Sequence, residues 1–130
     1  MDFTELLERV MASDAAVRHC IVADNEGNII AVKTREGITR YLSEDETAAS
    51  LQRAASAWKA RKPLVSKLGK AQYALAAFEN LVRITLPLGE NHLLFVSMGS
   101  GKMRYDIHEG GQQQVVQHVL NILDGDPTTA

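Results

Sequence analysis

The stretch Ser43–Lys62, SEDETAASLQRAASAWKARK, carries the signals for both ends of one long helix, and the rest of the chain divides around it. Ser43 with Glu46 three residues on is a capping box, in which the hydroxyl takes an orphan N–H of the first turn and the carboxylate reaches back to the Ser43 N–H. Glu44, Asp45 and Glu46 crowd the start, and Lys59, Arg61 and Lys62 the end, the order favoured by the helix dipole. Pro63 disfavours helical geometry at Lys62, so the helix is expected to stop there.

Before it, Phe3, Leu6, Leu7, Val10 and Met11 form one apolar stripe of a short helix that ends near Ser13 and Asp14. Val17–Ala23 and Ile29–Thr34 are β-rich runs joined by the turn cluster Asp24–Asn28, in which Gly27 is the candidate for positive φ. After it, Leu64–Lys70 holds a helical turn and a reversal at Gly69. Gln72–Phe78, Leu81–Leu86 and His92–Met98 then read as strands of a meander, joined through Glu79-Asn80 and through Pro87–Asn91. Gln112–Leu123 is a last helix with Val115, Val116, Val119, Leu120, Ile122 and Leu123 inward. Helix, hairpin, helix, meander, helix predicts an α+β domain, a single five-stranded antiparallel sheet covered by helices. It should occupy residues 1–123, with a flexible tail over 124–130.

With 130 residues the chain is of single-domain size. A net charge of −2 gives no bulk attraction for nucleic acid. Cys20 is the single cysteine and sits in an apolar run, which points to a buried thiol and a reducing compartment. Charges at Asp2, Glu5, Glu8 and Arg9 argue against a secretory signal, and no run approaches a membrane span, so a cytoplasmic protein is expected.

The chemistry-bearing residues assemble no active site. Gly99–Lys102 lacks a phosphate loop's first Gly, replaced by Val96, and its Ser or Thr, replaced by Met103, which leaves a mobile loop as the reading. His19, His92, His108 and His118 show no metal-ligand spacing; Asp106, His108 and Glu109 are close in sequence but have no nucleophile beside them. No enzyme activity, metal or cofactor is expected. Arg35, Arg40, Arg53, Arg61, Lys62, Lys67 and Lys70 make the middle of the chain basic, as solubilising charge or as a face for an acidic partner.

Ile21–Ala31 (IVADNEGNIIA) resembles the first hairpin of Roadblock / dynein light chain domains, a branch of the profilin-like folds. Leu86, Pro87, Leu88, Gly89, Leu93, Leu94 and Val96 resemble the pattern around a later turn of the same domains. Arg35–Gly37, Leu68–Lys70 and Pro87–Gly89 also look like a set of small uncharacterised archaeal proteins. The resemblance implies strand order 2-1-5-4-3, homodimers joined through the third strand and the long helix, and a role as scaffold or regulator of a partner protein such as a small GTPase.

Both surfaces can be read in these residues. Ala48, Leu51, Ala55 and Trp58 share the face expected on the sheet. The other side presents Ala49, Ser50, Ser56, Ala57 and Ala60 around Arg53, small residues that admit a second helix or simply favour helix. The third strand, with Tyr73, Leu75 and Ala77, has neither charge nor proline and is a liability if left open, whereas Lys33 and Arg35 suit an open edge on the second. The expected dimer interface is therefore Ala49, Ser50, Arg53, Ser56, Ala57 and Ala60 with Tyr73, Leu75 and Ala77. A second reading, a small-molecule sensor of the profilin-like or PAS-like kind, places a ligand between sheet and helix near Trp58.

Overall fold

A computed structural model describes residues 2–99 and 111–124, the side chains of 111–114 excepted. The elements are α1 (Phe3–Ser13), β1 (Val17–Asp24), β2 (Ile29–Thr34), α2 (Glu44–Arg61), a 3-10 turn (Lys62–Leu64), α3 (Val65–Leu68), β3 (Ala74–Ala77), β4 (Leu81–Leu88), β5 (His92–Gly99) and α4 (Gly111–Asp124). The strands form one five-stranded antiparallel sheet, β2-β1-β5-β4-β3, so both the sheet and the order implied by the resemblance are found. Among the described residues no helix is long and apolar enough to cross a membrane.

Strand alternation divides the side chains between two cores. Cys20, Val22, Val82, Ile84, Leu86, Leu94, Val96 and Met98 meet α1 and α4 on one face. Ile21, Ala23, Leu93 and Phe95 meet Leu51, Ala55 and Trp58 of α2 on the other. Thr47, not Ala48, begins the buried stripe of α2, and its hydroxyl accepts from Arg40 Nη2 at 3.1 Å. Both capping-box bonds are present, Glu46 N to Ser43 Oγ at 3.1 Å and Ser43 N to Glu46 Oε1 at 3.0 Å.

Pro63 ends the regular helix without ending helical geometry. Lys62 stays at φ −54°, ψ −43°, and the chain runs through the 3-10 turn into α3. Proline is tolerated in the first turn of such a segment, where its missing N–H has no acceptor to lose.

Pro87, expected in a turn, lies instead within β4; the turn is Gly89–Asn91. Phe78 N donates to Leu81 O, so the polar backbone groups of alternate β4 residues, Pro87 included, point toward β3. Pairing of β3 with β4 stops where Ala74 meets Thr85. Two residues further Gln72 would face Pro87, which has no N–H to give. The same proline therefore sits in a strand at no cost and shortens β3 from the expected Gln72–Phe78.

The β1–β2 turn is built on Asp24, whose carboxylate accepts from Asn28 N at 2.9 Å, Asn28 Nδ2 at 3.1 Å and Glu26 N at 2.9 Å. These bonds, the Asn28 backbone bond foremost, hold the carboxyl below its usual range. A depressed folded-state pKa contributes stability that is present above the unfolded value, about 4, and is lost as pH falls through the folded one. Denaturant unfolding followed from neutral to acid pH should therefore show a loss that is smaller in Asp24→Asn. An identical pH profile in the variant would remove Asp24 as its source.

Candidate interaction surface

Away from the sheet, α2 shows Arg53, Ser56, Ala57 and Ala60 exposed and Ala49 and Ser50 half-buried, so the six expected residues share one side of the helix. Its flank forms a groove of about 240 Å³ with β3, lined by Ser50, Ala54, Ala57, Ala74, Ala76 and Phe78 among others. The register decides which β3 residues take part. Ala74 pairs with Thr85, whose hydroxyl accepts the Trp58 indole N–H at 2.7 Å, so Ala74 and Ala76 face α2. Leu75 and Ala77 pair with Ile84 and Val82 and emerge with them on the α1/α4 side. Tyr73 precedes the strand and is exposed. The structure thus joins Ala74, Ala76 and Phe78 to the α2 residues; Leu75 points with Ala77 to the opposite face by register but still borders the groove, and Ala77 does not.

β3 is terminal in the sheet, so its outer edge is open among the described residues, and Tyr73, Leu75 and Phe78 are all exposed. The β2 edge is also apolar, with Ile29, Ile30 and Val32 half exposed. Arg35 does not guard it: Nε donates to Val17 O and Nη2 to Met11 O and Asp14 O. Its charge is directed to the C-terminal end of α1.

Trp58 is 8% exposed, tied to Thr85 and covered by Arg61, whose guanidinium carbon lies 4.8 Å from the ring centroid. It lines the β3 groove and also a cleft of about 930 Å³ toward the β4–β5 turn, with Lys59, Arg61, Lys62, Lys70 and Glu90. The indole is chiefly a strut between α2 and the sheet.

Cys20 is buried as expected; burial pushes its thiol up to about 12, which keeps it protonated. His19 and His92 lie at opposite ends of the β1–β5 pair, opposite Ser97 and Asp24. Ser100–Lys102, Asp106, His108, Glu109 and the segment 125–130 lie outside the described residues.

A polar row across the α2 face of the sheet is a feature that the sequence reading missed. Thr34, His19, Ser97 and Arg83 are successive cross-strand partners. Above them the chain before α2 and the first turns of α2 enclose a cavity of about 60 Å³, partly open to solvent and lined by Arg18, His19, Arg40, Tyr41, Thr47, Arg83 and Ser97 with apolar residues. His19 Nδ1 lies 2.6 Å from Thr34 Oγ1, while Nε2 is buried without a partner among the described residues. Burial, then Arg40 and Arg83, lower the imidazole to about 4, so it is neutral at pH 7. The signal for Arg83 was present in LVRITL, whose alternation sets Arg83 and Thr85 against Val82, Ile84 and Leu86. Nothing local pointed to Arg40.

No family model and no curated protein matches the sequence. Solved structures do match the fold. A Roadblock/LC7 domain from Streptomyces avermitilis superposes with a TM-score of 0.64 at 9% identity, over 95% of this chain and 93% of that one. The gliding protein MglB from Thermus thermophilus gives 0.62 at 17% identity, over 95% and 89%, and MglB is also known in a tetrameric arrangement. Profilin IA from Acanthamoeba castellanii gives 0.55 at 18% identity, over 95% and 98%. The chain has the α+β fold shared by Roadblock/LC7 domains and profilins.

Proposed function

We propose that this chain is a protein-interaction module that pairs with a second copy of itself and, so paired, scaffolds or regulates a partner protein such as a small GTPase. The observation that carries the reading is β3, a short uncharged strand at the open end of the sheet, running beside the small-residue side of α2. An exposed apolar edge is a template for another strand, and a twofold axis would set β3 against β3 while the side around Ala57 meets its own copy. The tetrameric arrangement known for MglB, a structure of the same fold, supports self-association. The GTPase follows from the resemblance to Roadblock domains. No reaction is assigned to the module itself.

Light scattering tests the pairing directly. The protein at tens of micromolar should show twice its chain mass, and a variant carrying Arg53→Glu with Ala57→Glu should weaken association by about a hundredfold, since two carboxylates would be buried without partners. A monomeric parent would overturn the reading. Retained partner binding by a monomeric variant would separate the scaffold role from pairing.

A further inference from the structure

The cavity over the polar row has a one-sided charge. Its lining includes Arg18, Arg40 and Arg83 and contains no Asp or Glu. Among the described residues none of the three makes an ion pair, and Arg83 makes no hydrogen bond there. Arg18 and Arg40 donate to neutral acceptors, Thr39 O at 2.8 Å and Thr47 Oγ1 at 3.1 Å, and the Arg18 guanidinium also lies over the Tyr41 ring, 5.1 Å from its centroid. Arg53, outside the cavity on the exposed side of α2, still acts on Arg83 as a like charge, second to the effect of burial. An arginine keeps its proton; Arg40 is exposed and screened by solvent, but Arg83 is half-buried, where a bound anion would offset its charge directly. The His19 imidazole, which could have added to the repulsion, is held neutral.

The shape selects the counter-charge. At roughly 15 Å³ for each water-sized site, about 60 Å³ holds a few waters or one tetrahedral oxyanion, but no length of peptide. Guanidinium forks match phosphate oxygens in pairs, and Ser97, Thr47 and Tyr41 are among the residues that line the same space. We propose that this cavity binds a small oxyanion, either free phosphate or the phosphate group of a larger ligand projecting through the open side. Arg83 borders the groove beside β3 as well as this cavity, so the site and the pairing surface share a residue and are tested separately.

Calorimetric titration at fixed ionic strength, with inorganic phosphate and with glycerol phosphate, tests it. One site per chain is expected, and Arg40→Gln and Arg83→Gln should each weaken it by about tenfold or more. Tighter binding of the monoester identifies the larger ligand as the source, and tighter binding of inorganic phosphate the free ion. The absence of saturable heat, or equal affinity in parent and both variants, overturns the proposal. A second readout needs no variant. The groups that face His19 are Thr34 from β2, Ser97 from β5, Arg83 from β4 and Arg40 ahead of α2. An anion between the two arginines offsets their charge, so the His19 ring titration followed by NMR should move upward from about 4 when phosphate is added. An unmoved titration at saturating phosphate also overturns it. Light scattering on the same samples keeps a failure of this site distinct from a failure of pairing.

Discussion

Replacing Gly27 with alanine should cost about 3 kcal/mol of stability, roughly 10 °C in Tm, more than the same change at Gly37, Gly69, Gly89 or Gly99. Two causes add. Gly27 sits at φ +87°, where an L side chain is strained by about 1–2 kcal/mol. A Cβ there would also lie 2.8 Å from both Cα and N of Gln52 and 3.0 Å from the Leu51 carbonyl carbon. Those are backbone atoms of α2 and cannot swing aside, so the turn must lift from the helix or the helix from the sheet. Gly37 is the control: its φ is +80°, and nothing lies within 4 Å of the place its methyl would take, so Gly37→Ala carries the backbone strain alone. Chemical denaturation of the two variants side by side separates strain from collision. Equal losses would mean that the turn does not press on α2 as described.

Because the β1–β2 turn seats directly on Gln52, the position of α2 is fixed from several sides. Lys59 Nζ reaches Glu26 Oε1 of that turn at 2.6 Å, an exposed pair worth at most about 1 kcal/mol. Trp58 reaches Thr85 on β4, and Arg40 reaches Thr47 at the other end. The side of α2 around Ala57 is thereby held at a set height beside β3, which a rigid self-complementary surface requires. Lifting the turn should disturb that surface as well as stability, so Gly27→Ala should also weaken the proposed self-association where Gly37→Ala does not.

What could be read in the sequence was local or periodic. The capping box, the α1 stripe and the hairpin with Gly27 each lie within a few residues, and each is found where expected. The phase of β3 was not legible because both of its faces are apolar: Tyr73 and Leu75 on one, Ala74, Ala76 and Phe78 on the other. Only pairing with Thr85 and Ile84 decides it. Pro87 misled for a related reason, since a proline between Leu86 and Gly89 reads as a turn until the strand beside it is known to be short. Trp58 does lie between helix and sheet, the place of the ligand in the sensor reading. Its indole N–H, however, is taken by a threonine far away in sequence. The arginine cavity gathers residues from four segments and left no local trace beyond Arg83.

Arg35 is the clearest case of a charge read as surface and used as structure, and its removal should cost about 3 kcal/mol. α1 ends without a basic residue in its last turn. Its terminal carbonyls are met instead from the end of β2, where Arg35 Nη2 donates to Met11 O at 2.7 Å and Asp14 O at 3.0 Å and Nε donates to Val17 O at 2.6 Å. One side chain therefore supplies the cation favoured at a helix C-terminus and also closes the α1–β1 connection against β2. Arg35→Met keeps most of the aliphatic stem and deletes the three bonds; Asp14 O keeps the Val17 N–H at 3.2 Å, while Met11 O and Val17 O lose their part-buried arginine donors. Arg35→Lys keeps the charge but cannot span all three acceptors from one nitrogen, so it should recover less than half of the loss. Urea unfolding of the three proteins orders them, with arginine above lysine above methionine. Full recovery by lysine would reduce the role of Arg35 to its charge, and no loss in Arg35→Met would show that the end of α1 is held by its packing against the sheet alone.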